Sequence, residues 1–241
     1  MRYKIIFSYD GSEYFGYAKQ PNKKTIQGEL EGVLQTIFQK DIIISASGRT
    51  DKGVHALNQV AHFDIDKEID ESKIIVSLNK LLPTDIHIKS VEKVDDEFHA
   101  RFSAKGKIYE YVLNLGEYNP LKRNFEYNIR NIDVEKMKEA SKKFIGTHSF
   151  MNFTSKEEDE ENYIRTIESI DFIHDEDVLK IDFKGNGFMK YQVRKMVGVL
   201  LEIGKGKISS EYIDEFMALN ERNIVTFTAP PQGLYLKEVI Y

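Results

Sequence analysis

The sequence contains no cysteine and no tryptophan among its 241 residues. Without cysteine there is no disulfide, no thiolate metal site and no thiol nucleophile. Long apolar runs are missing too, and none approaches the length of a membrane span. The opening Met1-Arg2-Tyr3-Lys4-Ile5-Ile6-Phe7 reads as a strand and not as a secretory leader. These absences lead us to expect a soluble, cytoplasmic protein. An excess of positive charge is also lacking. The formal net charge is −5, which at face value argues against a nucleic-acid partner.

The distribution of charge tells a different story. Glu157-Glu158-Asp159-Glu160-Glu161 are five consecutive acids, and they alone equal the net charge of the whole chain. Such a block reads as a solvated loop, turned away from any phosphate. The stretch from Lys184 to Lys207 carries Lys184, Lys190, Arg194, Lys195, Lys205 and Lys207 against a single acid, Glu202. Local clustering decides whether phosphate binds. On charge alone, a solvated helix bearing lysines is the simpler account of that stretch.

With 41% hydrophobic residues, the chain can bury a substantial core in one large domain or two small ones. Tyr3 to Ser8 alternates as a strand and ends at Asp10-Gly11. Thr25 is a good N-cap for a helix in which Ile26, Leu30, Val33, Leu34 and Ile37 recur at helical spacing. Strands are expected over 42–46 and 54–64. Asp70 caps a helix carrying Ile74, Ile75, Leu78 and Leu82, which Pro83 stops. A strand over 86–94 follows. The order β-α-β-β-α-β resembles the ferredoxin-like unit.

The second half repeats this order. It has a strand over 108–115, a helix capped by Asp133, and strands over 165–174 and 178–184. A helical stripe of Met189, Val193, Met196, Val197 and Leu200 comes next. A short helix opened by Ser209 or Ser210 and a closing strand over 234–240 complete the chain. The expected fold is therefore α+β: two ferredoxin-like units, residues 1–104 and 105–241, whose antiparallel sheets side by side would make a broad central cleft.

Between two β-type runs lies Gly48-Arg49-Thr50-Asp51-Lys52-Gly53-Val54-His55. Two glycines, a carboxylate and two cations crowd together there. An arginine two residues before an aspartate can hold that carboxylate ionised and aim it. The same residues also suit an ordinary hairpin turn.

This wording resembles the signature of the tRNA pseudouridine synthase A family. Four further stretches are similar to later blocks of that family, in the right order. They are Phe98-His99-Ala100-Arg101-Phe102-Ser103-Ala104, Lys107-Ile108-Tyr109-Glu110-Tyr111, the run from Gly187 through Gly198, and Gly233-Leu234-Tyr235-Leu236. The resemblance implies isomerisation of uridine in the anticodon arm of tRNA, with no cofactor and no metal, by a homodimer. It implies that Asp51 is the catalytic carboxylate and that Arg194 pairs with it. By the same resemblance Tyr109 stacks on the target base, and Arg49 helps to extrude that base or fills its place.

The residues themselves leave other roles open. Arg194 borders the stripe of Val193, Val197 and Leu200, where its stem could simply cover apolar surface. Tyr109 could be a core aromatic, as Tyr111 is expected to be, and Arg49 a phosphate contact or a surface charge. His55 and His99 are read as structural, and Leu234 as packing behind the pocket. Family members commonly carry a tryptophan and a Gln-Arg-Gln string where this chain has Phe15-Gly16-Tyr17-Ala18-Lys19-Gln20. Two alternatives stand beside the tRNA reading: the same chemistry on another RNA, such as ribosomal RNA, and an inert RNA-binding paralogue.

Overall fold

The computed structural model describes residues 1–155, 163–219 and 221–241. The acidic block Glu157–Glu161 lies outside the described residues. The chain packs as two compact units, one of Met1–Lys105 with Tyr235–Tyr241, the other of Gly106–Leu234.

In the first unit the order is β1 (Arg2–Tyr9), α1 (Ile26–Phe38), β2 (Ser45–Ala46), β3 (His55–Asp64), α2 (Glu71–Leu81) and β4 (Ile86–Val94). β1 is central and pairs antiparallel with both β3 and β4. Its residues alternate in burial, with Tyr3, Ile5, Phe7 and Tyr9 inside, as period-2 side-chain geometry dictates. The three sequence-read caps operate as expected. Thr25 Oγ1 accepts from the Gly28 amide at 3.3 Å, Asp70 from Lys73 at 3.2 Å and, in the second unit, Asp133 from Lys136 at 3.0 Å. α2 stops two residues before Pro83.

The strand expected over 42–46 shrinks to Ser45–Ala46. Ile42 and Ile44 are buried, but α1 side chains claim the Ile44 backbone. Its N–H donates to Glu31 Oε1 at 3.3 Å and its carbonyl accepts from Gln27 Nε2 at 3.4 Å. Those groups are therefore satisfied outside a strand ladder.

The closing strand β10 (Leu234–Ile240) packs with the first unit, although the sequence placed it with residues 105–241. It pairs parallel with β3 through Tyr235–His55 and Leu236–Ala56, and the terminal Tyr241 hydroxyl donates to the Ala100 carbonyl at 2.7 Å. The chain break between units falls at Lys105–Gly106.

In the second unit the order is β5 (Gly106–Asn114), β6 (Tyr127–Asn128), α3 (Val134–Ser141), β7 (Gly146–Ser149), β8 (Ile164–Asp175), β9 (Val178–Gly185), α4 (Gln192–Gly204) and α5 (Glu211–Ala218). The antiparallel strand order is β5-β9-β8-β7, and β6 pairs with β5. β6 and β7 are too short or too polar to show alternation in sequence. α4 is buried all round: of its 13 residues only Arg194 and Glu202 are not buried. A helix buried on nearly every side belongs inside a core, and here Gln192 and Lys195 are buried along with the apolar stripe. Both units are thus mixed α and β with antiparallel sheets, apart from the short parallel pairings of β6 and β10. No helix among the described residues is long and apolar enough to cross a membrane.

Candidate active site

Asp51 sits in a loop of the first unit that is fixed from several directions. The Val54 amide donates to the Asp51 carbonyl at 3.1 Å, and Gly53 between them has φ +77°. A positive φ at the third position of a four-residue turn is what glycine supplies without steric cost. The Thr50 carbonyl accepts from the Tyr17 amide at 3.0 Å. The Thr50 hydroxyl is 2.8 Å from the Tyr9 hydroxyl, and Gln59 Nε2 reaches that same phenol at 3.4 Å and the Gly48 carbonyl at 3.0 Å. Gln59 Nε2 can only donate, so the Tyr9 oxygen accepts from it, and the Tyr9 and Thr50 hydroxyls share the other bond. Burial pushes the Tyr9 phenol up to about 12.

Two glycines bring the 10–17 segment against this loop. A Cβ on Gly11 would lie 2.0 Å from the Val54 carbonyl oxygen. One on Gly16, whose φ is +95°, would lie 2.9 Å from the Thr50 oxygen and 3.3 Å from the Asp51 carbonyl carbon. Asp51 itself is half-buried and Arg49 is exposed. The loop therefore presents a carboxylate on a backbone that cannot easily shift.

His55 and His99 have structural partners. His55 is buried, its Nδ1 accepts from the Gly11 amide at 3.1 Å, and its ring stacks on Tyr235 at 4.7 Å. His99 Nδ1 accepts from the amides of Arg101 and Phe102 at 3.1 and 3.3 Å.

In the second unit Tyr109 is on β5, opposite Phe183 of β9, and is 8% exposed. Its ring meets Phe188 edge-to-face at 5.2 Å. Tyr111 is fully buried, and its hydroxyl donates to the Pro230 carbonyl at 2.8 Å. Arg194 is tied to the 225–230 segment by two bonds with Ala229. The Ala229 amide donates to the Arg194 carbonyl at 2.9 Å, and Arg194 Nε donates to the Ala229 carbonyl at 2.8 Å. Its guanidinium lies over the Tyr191 ring at 4.8 Å. Tyr191 takes φ +64° at the start of α4, an uncommon conformation for a bulky residue. Gly198 lets the same segment approach, since a Cβ there would meet Phe227 and Thr228 backbone at 2.8 Å. The structure places Arg49 and Asp51 on one loop, and Tyr109 and Arg194 in the other unit.

Most of the cations in the basic stretch from Lys184 to Lys207 have partners within the protein. Lys184 pairs with Glu168 at 2.7 Å, and Lys205 and Lys207 share Glu202 at 2.7 and 3.3 Å. Lys195 is buried, donates to the Val225 carbonyl, and has its pKa lowered by burial and by the Arg194 charge. Lys190 remains exposed, over the Tyr191 ring at 5.4 Å. No group of three or more acids and histidines among the described residues could hold a metal ion.

Sequence patterning assigns no site role to Tyr9, Gln59 or Gly11. Gln59 had a visible signal, a polar side chain within the apolar β3 run Val54–Phe63. Tyr9 had none, since it fits the alternation of β1.

Comparisons with known proteins agree with these motifs. The tRNA pseudouridine synthase family pattern matches residues 5–103 and 140–241. A protein from Listeria monocytogenes called tRNA pseudouridine synthase A is 45% identical over 245 residues, covering 100% of this chain and 99% of its own. Proteins of the same name from Limosilactobacillus reuteri and Bacillus licheniformis are each 42% identical, covering 100% of this chain and 96% and 99% of their own lengths. The family pattern takes in the clamped Asp51 loop and Arg194, and the relatives align over the whole chain, the Lys107–Tyr111 stretch included, so the chain belongs to the tRNA pseudouridine synthase family.

Proposed function

We propose that this protein is an isomerase that converts uridine to pseudouridine in the anticodon arm of tRNA, with Asp51 as the catalytic carboxylate. The observation that carries the assignment is the Asp51 loop, held by the bonds of Thr50, Gly48 and Val54 within a family-matched stretch. The reaction breaks the C1′–N1 bond, turns the uracil and joins C1′ to C5, whose proton then leaves. A fixed, ionised carboxylate suits the electron-poor sugar. It either attacks C1′ as the uracil anion departs, or takes the C2′ proton to give a glycal.

Arg194 is the partner of the carboxylate in this reading, Tyr109 the stacking residue and Arg49 the residue that offsets base extrusion. The double tie of Arg194 to Ala229 supports its role, because a held stem limits where a guanidinium can go. Stacking on an aromatic is worth about 1–3 kcal/mol per base, comparable to the few kcal/mol that extrusion costs. We also assign two ferredoxin-like units, supported in the first by its element order and by the strand order β4-β1-β3-β2. A homodimer in the cytoplasm completes the proposal, on family resemblance.

The test is Asp51→Asn, which keeps shape and removes charge. Asparagine tolerates turn backbone as aspartate does, so the variant folds. It is expected to bind tRNA and to form no pseudouridine at high enzyme over long times. Turnover near that of the unmodified protein would remove Asp51 from the mechanism.

A further inference from the structure

Phe15 is an aromatic ring left 38% exposed on the loop that leads into α1. Two ammonium groups lie close to it. Lys23 Nζ is 4.4 Å and Lys52 Nζ 4.5 Å from the ring centroid. Neither lysine forms an ion pair among the described residues. In the same unit Lys4, Lys19, Lys24, Lys40, Lys73 and Lys93 each have a carboxylate partner, whereas Lys67, Lys80, Lys89 and Lys105, like Lys23 and Lys52, have none among the described residues; what sets Lys23 and Lys52 apart is that they share one exposed ring.

The arrangement is built, not incidental to a loose loop. The Phe15 amide donates to the Lys24 carbonyl at 2.9 Å, and Gln20 Nε2 donates to the Phe15 carbonyl at 2.8 Å. The Lys23 amide closes the turn on the Gln20 carbonyl at 3.3 Å. The next residue, Gly16, is the one whose missing side chain lets this loop touch the backbone from Thr50 to Lys52. Lys52 directly follows Asp51. The exposed ring and its two cations thus border the proposed reactive carboxylate within one unit.

Two cations held on one ring repel, and an exposed cation–π contact holds each only weakly. Phosphate relieves that repulsion, and a flat base can take the ring face that a lysine vacates. A polyanion carrying flat rings satisfies both demands. We propose that Phe15, Lys23 and Lys52 form a subsite for an RNA nucleotide next to the target uridine, with its base on the Phe15 ring and flanking phosphates on the two lysines. This subsite rests on the reading of the chain as a tRNA-modifying enzyme.

The absence of tryptophan provides the probe, because Phe15→Trp introduces the only one in the chain. Its emission is expected to change saturably as tRNA is added. Unchanged emission at tRNA concentrations that fully bind the same variant in a filter assay would overturn the subsite. In parallel, the Lys23→Gln, Lys52→Gln double variant is expected to flatten the dependence of log K on log salt by about 0.7 per lysine, the single-strand value. Lys73→Gln, which alters a lysine paired with Asp70 on α2, leaves the slope as it was. An identical slope in the double variant would also overturn the proposal. If the unmodified protein bound no tRNA, the functional reading would fall and the subsite with it. If it bound and modified tRNA while both variants behaved as above for failure, only the subsite would fall.

Discussion

At the scale of single residues, the Asp51 loop depends on side chains that never meet substrate in our reading. Tyr9 receives a hydrogen bond from Gln59 and shares one with the Thr50 hydroxyl, all three being buried. Tyr9→Phe leaves a buried threonine hydroxyl and a buried amide short of one partner each. An unsatisfied buried group costs about 1–3 kcal/mol, so a clear fall in melting temperature is expected. Turnover should fall more than tRNA affinity, because the loop loses its fixed position and not its charges. A variant with unchanged turnover would mean that the bonds of Gly48 and Val54 suffice. The same substitution tests a pH effect. A phenol raised from 10 to about 12 on folding favours its neutral form in the native state. Its contribution is complete below the unfolded value and is lost as pH rises from 10 towards 12. Urea titrations across that window should show a weaker alkaline loss in Tyr9→Phe.

At the scale of elements, α4 and the 225–230 segment act together. Gly198 brings the segment close, Lys195 holds the Val225 carbonyl, and Arg194 exchanges two bonds with Ala229. Gly198→Ala drives a Cβ into backbone at 2.8 Å, and backbone cannot swing aside as a side-chain tip does. Overpacking of this kind costs about 1–3 kcal/mol. Calorimetry should register that loss, with reduced turnover if Arg194 moves with the segment. Full stability in Gly198→Ala would show that the segment is looser than its hydrogen bonds suggest.

At the scale of the whole molecule, an acidic protein is assigned a polyanionic substrate. The contradiction lessens once lysines are sorted by partner instead of counted. Lys195 is a core residue, so Lys195→Gln is expected to lower thermal stability and leave the salt slope of tRNA binding nearly intact. Lys190, exposed, is expected to do the reverse: Lys190→Gln keeps stability and flattens the slope by about 0.7–0.9 if it meets one phosphate. Thermal melts and binding titrations on the two variants separate these roles. The opposite pattern would reinstate the 184–207 stretch as the phosphate surface.

Much of this molecule was determined by residues close together in the chain. Caps at Thr25, Asp70 and Asp133 work over three residues, the alternation in β1 over two, and the apolar stripe of α4 over three and four. Local geometry of that kind is written in the order of side chains, and the motif around Asp51 is equally local. Other features were decided only by tertiary structure. Lys195 and Lys190 look alike in sequence, and only packing against Val225 makes one a core residue. Ile42 to Ile44 has a strand pattern, but Glu31 and Gln27 of α1 take its backbone bonds. The closing strand follows the second unit in the chain and pairs with β3 of the first. The clamp on Asp51 joins Tyr9, Thr50 and Gln59, which are many residues apart. Burial and hydrogen-bond partnership depend on which distant segments arrive beside a residue, and the spacing of its neighbours carries no record of that.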